Sequence, residues 1–137
     1  MDNNQYREWE ITVNGIKENN LKLIEEFELW LVEKKLSAKT ITKHKQNVEF
    51  YINVFLLRED PIKAEDGTFA ISAFLGDYFI RKTTWSSAYS IKENIASFKK
   101  FYTFLVETGR TAAEDLNDML ERIKEESSEW IATVENY

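Results

Sequence analysis

The stretch LSAKTITKHKQNVEFYINVF, residues 36–55, carries a helix start, a one-sided apolar stripe and a row of polar donors within twenty residues. Ser37 is a good N-cap, because its hydroxyl can accept a hydrogen bond from a backbone N–H that the first helical turn leaves unpaired. The helix is therefore expected to begin near Ala38, with Thr40 at its third position. Ile41, His44, Val48, Tyr51, Ile52 and Phe55 then recur at steps of three and four, which at about 100° per residue places them on one side, facing a core. Lys39, Lys43, Gln46 and Asn47 project from the opposite side about one turn apart, a row of donors suited to phosphate oxygens.

Working outward, Asn19 or Asn20 is expected to cap a preceding helix that ends near Lys35 and turns Leu23, Ile24, Phe27, Trp30 and Leu31 to one face. Glu25, Glu26, Glu28 and Glu33 populate the remainder. Residues 1–17 read two ways. Trp9, Ile11 and Val13 alternate with polar residues as in a short strand before the turn signal Asn14-Gly15, and helix competes closely with that reading. Downstream, Pro61 disfavours helical geometry in the residue before it, so the second helix should stop before it and a loop should cover residues 57–68. Ile71, Phe74, Leu75, Tyr78 and Phe79 mark a third helix. After a break at residues 83–87, a fourth is expected from Ala88 to Glu107, with Ile91, Ile95, Phe98, Tyr102 and Leu105 buried and Gly109 as its terminator at positive φ. Thr111 should cap a fifth, acidic helix whose Leu116, Met119, Leu120, Ile123, Trp130, Ile131 and Val134 share a side. The expected fold class is all-α.

The chain has 137 residues, 43 % of them apolar and 14 % aromatic, enough for a real core without disulfides, and it contains no cysteine. No apolar run approaches the roughly 18 residues of a membrane span, and no basic segment followed by an apolar one marks a secretion signal, so a soluble, cytoplasmic protein is expected, with no membrane partner. The net charge of −6 hides a pattern: residues 1–33 carry 8 acids and 3 bases, residues 34–105 carry 7 acids and 12 bases, and residues 106–137 carry 9 acids and 3 bases. Because physiological salt confines a surface charge's influence to about 8 Å, a basic face can persist on an acidic protein.

Two segments resemble a known family, the core-binding, SAM-like N-terminal domain of tyrosine recombinases of the phage integrase type. FELWLVEKKLSAKTI, residues 27–41, is similar to that family's helix, short turn, Leu-Ser-x-x-Thr and second helix. WSSAYSIKENIASFKKFYTFLVETG, residues 85–109, resembles its fourth helix, with the Phe-Tyr-x-Phe-Leu ending and the glycine. The resemblance spans roughly residues 20–110. It implies an orthogonal four-helix bundle over residues 18–110, flanked by an N-terminal extension at residues 1–17 and followed by an additional C-terminal amphipathic helix at residues 111–137. It further implies that the second and fourth helices turn toward double-stranded DNA. Carried over by position, the second helix offers Ser37, Lys39, Thr40, Lys43 and Gln46, with Asn47 beside them, and the fourth offers Ser87, Ser90, Lys92, Lys99 and Lys100.

No enzyme is expected. A recombinase of the family would need a separate catalytic domain with several arginines, a His-x-x-Arg element and a tyrosine nucleophile. This chain has one histidine, His44, placed on a buried stripe, and Tyr137 lacks cationic neighbours that would activate it. Glu25, Glu26 and Glu33, like Asp115, Asp118, Glu121 and Glu125, read as solvated helix faces, so no metal and no cofactor are expected. The reading is a non-catalytic DNA-binding module, with a recombinase catalytic domain or self-association through the C-terminal helix as further partners. The alternative is a regulatory protein-interaction module that kept the fold and lost DNA, binding through its acidic terminal helices; Trp130 and Ile131 are expected to pack on the bundle, or otherwise to offer an apolar anchor for a partner.

Overall fold

A computed structural model of the chain describes residues 2–137, and every regular element among them is helical. The chain divides into two compact units, one ending at Ala64 and the other running from Glu65 to Tyr137. That division falls inside the expected 18–110 domain.

The first unit is built on α1 (Asn3–Glu33) and α2 (Ala38–Phe50), the latter continued by a π-helical turn, Tyr51–Phe55. Helix wins over strand at the N-terminus, and the expected boundary after residue 17 lies within α1. Asp2 caps it in a reciprocal box with Gln5, whose N–H reaches the Asp2 carboxylate at 2.8 Å. The apparent alternation was spurious, because Ile11 is 65 % exposed while Val13 and Ile16 are buried with Leu57, and Trp9 packs against that cluster. Burying three such side chains contributes roughly 1.5–3 kcal/mol each, whereas Gly15 inside a helix costs about 1 kcal/mol. The turn signal is overridden.

Asn20 is likewise not a cap but a fully buried residue in mid-helix. Its Nδ2 donates to the Ile52 carbonyl at 3.3 Å and to Asn53 Oδ1 at 2.8 Å. The π-turn explains why that carbonyl needs a partner. The Leu56 N–H, which in a regular α-helix would donate to Ile52, reaches back to Tyr51 instead. All six members of the α2 stripe, from Ile41 to Phe55, are buried, including His44. The turn between α1 and α2 closes with Lys35 N–H on the Val32 carbonyl and Leu36 N–H on the Leu31 carbonyl, with Lys35 at φ +62° where glycine is usual.

The second unit opens with a 3-10 segment, Ala64–Ala70, followed by a continuous helical run: α3 (Ile71–Ala73), a second π-turn (Phe74–Tyr78) and α4 (Phe79–Lys82). Then come α5 (Ala88–Glu107) and α6 (Ala113–Glu135), which pack on each other, while α6 also packs on the run containing the second π-turn. Gly109 ends α5 at φ +75°, with its own N–H on the Val106 carbonyl and Arg110 N–H on the Leu105 carbonyl. Thr111 is not the cap of α6. Ala112 occupies that position, and the Thr111 hydroxyl donates to the Glu65 carbonyl at 2.9 Å, tying the start of α6 to the 3-10 segment.

Trp130 is 3 % exposed and lies against Gly76, so it packs within its unit, the expected alternative, and offers no open apolar anchor. A Cβ built on Gly76 would lie 2.9 Å from Trp130 Cδ1, whereas one on Gly15 would meet nothing within 4 Å. The two glycines should therefore respond oppositely in urea denaturation. Gly15→Ala is expected to raise stability by roughly 0.5–1 kcal/mol, and Gly76→Ala to lower it by about 1–3 kcal/mol through overpacking. A destabilised Gly15→Ala or a neutral Gly76→Ala would contradict this packing.

Candidate nucleic-acid interface

The cationic faces lie one on each unit. On α2 the cap at Ser37 sets where the helix begins, since Ser37 Oγ accepts the Thr40 N–H at 3.2 Å. Burial of Ile41, His44 and Val48 then fixes its rotation. Lys39, Lys43 and Gln46 are left exposed, within an arc of roughly 60° and over about 10 Å of helix. Thr40 is exposed too, its Oγ1 bonded to Ser37 Oγ at 2.9 Å, and Asn47 sits half-buried at the edge of the row. Lys45, from the same lysine-rich stretch, turns toward α1 and pairs with Glu28 at 3.1 Å. Lys34 lies over the Trp30 ring at 4.9 Å. Both are engaged within their unit, which narrows the outward cations of the stretch to the α2 row and Lys35.

On α5 the cap at Ser87 is a reciprocal box with Ser90. The Ser90 N–H donates to Ser87 Oγ at 3.1 Å, and the Ser87 N–H donates to Ser90 Oγ at 2.8 Å. Ser90 is also buried, with Trp85 and Ser87 carbonyls within reach of its hydroxyl. It therefore holds the helix start and leaves the set of outward donors. Asn94, on the same helix, is buried and donates to the Ser90 carbonyl at 2.8 Å.

Burial around α5 decides which of its lysines face water. Besides the five apolar positions expected, Asn94, Ser97, Phe101 and Phe104 are buried, so the covered arc extends across about half of the helix. Lys92 and Lys99 are exposed on the remaining face, as is Ala96, and Lys100 is half-buried. The excess of aromatic residues at 101 and 104 was the available signal for this wider arc.

Two exposed aromatics stand just ahead of these lysines, at the start of α5. Trp85 and Tyr89 are 58 % and 73 % exposed, and Tyr89 is one turn before Lys92. Reading residues 83–87 only as a break between helices missed the exposure of Trp85. From Tyr78 to Val106 there are five bases and one acid, the half-buried Glu93. Arg81, one of those bases, is already paired: it grips Asp77 with two hydrogen bonds of 2.8 and 2.9 Å. That hydrogen bonding holds the Asp77 carboxyl below its ordinary value and the guanidinium above its own. Lys92 and Lys99 therefore supply the outward charge of α5.

Another concavity, about 590 Å³, lies in the first unit among Tyr6, Trp9, Arg58, Glu59 and Asp60. Its cation is committed, with Arg58 stacked 3.9 Å from the Phe55 ring centroid and bonded to the Phe55 carbonyl at 2.8 Å. Its two acids oppose an anionic ligand.

The serines and lysines of α5 should separate on substitution. Ser90→Ala is expected to lower unfolding free energy by about 1 kcal/mol through loss of the cap. Lys92→Gln and Lys99→Gln should each stay within about 0.5 kcal/mol, as exposed substitutions do. Equal costs in thermal or urea melts would contradict the division of roles.

Comparison of the chain with protein-family models, with curated protein sequences and with solved structures finds no match, so the chemistry of the two cationic faces is what bears on function.

Proposed function

We propose that the chain is a non-catalytic DNA-binding module of the kind its sequence resembles, the core-binding domain of tyrosine recombinases, and that it holds double-stranded DNA mainly by its phosphates. The observation that supports this reading is the outward row of Lys39, Lys43 and Gln46 on α2, directly opposite the buried stripe. Lys92 and Lys99 on α5 add a second pair of cations. Neutralising phosphates releases condensed counterions, so such contacts give affinity without sequence preference and weaken steeply with salt. Gln46 and Asn47 are the side chains suited to reading base edges, since an amide can donate to and accept from a base together.

A protein-interaction role is the second reading, favoured by the net charge of −6 and by the exposed acids of α6, among them Asp115, Asp118, Glu121 and Glu125. An active recombinase carrying the catalytic half is the partner that fits either reading. DNA is preferred because Lys39 and Lys43 on α2, and Lys92 and Lys99 on α5, are exposed one to two turns apart along their helices.

A titration of labelled duplex DNA over a range of potassium chloride concentrations tests the proposal. With all four lysines on phosphates, log K should fall against log salt with a slope of about −3.6, and a pair alone should give about −1.8. Dissociation constants of roughly 10⁻⁴ to 10⁻⁶ M are expected at physiological salt. Replacing Lys39 and Lys43 together by Gln should reduce the slope by about 1.8, whereas Lys17→Gln on α1 should leave it unchanged. Absence of salt-dependent binding, or a slope indifferent to Lys39 and Lys43, would reject the DNA reading.

A further inference from the structure

Trp85 and Tyr89 stand at the start of α5 with most of their surface in water, and the phosphate-binding role proposed above does not use them. Trp85 is not a loose side chain. Its ring meets Phe79 edge to face, with centroids 6.4 Å apart and planes at 77°, and its carbonyl lies 3.2 Å from Ser90 Oγ, inside the box that caps α5. Tyr89 is the second residue of α5, so its backbone is set by the same cap. Two large rings are thus presented from a rigid base. Lys92 follows Tyr89 by one turn, and Lys99 continues the line about 10 Å further on.

We infer that these two rings form a stacking site for unpaired bases, with Lys92 and Lys99 receiving the phosphates of the same single strand. The charge pattern selects this occupant. An apolar peptide groove would not be bordered by a stretch with five bases and one acid, whereas a single strand offers both the negative backbone that the lysines attract and the flat π-faces that exposed aromatics stack on. Stacking is tolerant of sequence, because every base has a face. The site accepts DNA or RNA on this chemistry. It goes beyond the duplex reading and needs neither Lys39 nor Lys43.

Fluorescence anisotropy of the full chain with end-labelled 12-mers of dT and of U, alongside a labelled duplex of the same length, tests the inference. Trp85→Ala and Tyr89→Ala should each weaken binding of at least one single strand about tenfold, while Tyr89→Phe, which keeps the ring, stays within about twofold of the parent. Duplex affinity should change by less than about twofold in all three. Comparing dT with U identifies the sugar preferred. Single-strand binding that is absent, or indifferent to both rings, overturns the inference. So does a parallel loss on duplex, which would make the rings part of a duplex surface. Ring-dependent binding to anionic phospholipid vesicles without oligonucleotide binding would overturn it in favour of a membrane surface. Because Trp85 supports Phe79 and its removal could perturb the fold, Tyr89→Ala against Tyr89→Phe is the decisive pair. Ring-dependent binding of single strands together with no duplex binding would leave this site standing while rejecting the duplex module.

Discussion

The burial of one stripe along α2 and its π-turn governs the first unit. Val48, Tyr51, Ile52 and Phe55 are all but completely removed from water, and Ile41 and His44 extend the stripe toward the cap. Covering four such side chains contributes several kcal/mol, at roughly 1.5–3 kcal/mol for a full aliphatic or aromatic side chain. Rotating α2 by one residue would bring charged neighbours inward and expose that surface. Core burial thereby decides, without any direct contact, that Lys39 and Lys43 point outward. A similar constraint acts on α5, where burial of Phe98, Phe101, Tyr102, Phe104 and Leu105 leaves the remaining face for Lys92 and Lys99.

Charge then operates locally. A protein at −6 repels DNA on average, yet at physiological salt a phosphate mainly senses charges within about 8 Å. Several cations are withdrawn by internal partners, Lys45 by Glu28 and Arg81 by Asp77. What remains outward on α2 and α5 is a small set arranged in lines. This limits the affinity expected for a polyanion and makes it sensitive to salt.

Much of this was readable from the residues, because caps and helical periodicity are local properties. Ser37, Ser87 and Gly109 mark the ends that the structure displays, and the α2 stripe is buried at every expected position. The unread parts depend on contacts between elements. Asn20 looks like a cap until the carbonyl freed at Ile52 gives it a buried partner. Gly15 looks like a turn until Val13 and Ile16 find Leu57. The two π-turns leave no pattern of their own, and the roles of Ser90 and Lys100 depended on how far burial wraps around α5. Of the candidate site, the α2 row was readable as a face. Which α5 lysines face water depended on the burial of Phe101 and Phe104.

Chemical acetylation of lysines, mapped by mass spectrometry with and without duplex DNA, addresses the central claim most directly because it reports each amine separately. Lys39, Lys43, Lys92 and Lys99 should react readily in the free protein and be protected when DNA is bound, while Lys17, Lys22 and Lys124 keep their reactivity. Uniform protection of all lysines, or unchanged reactivity at those four under conditions where DNA is bound, would contradict the account.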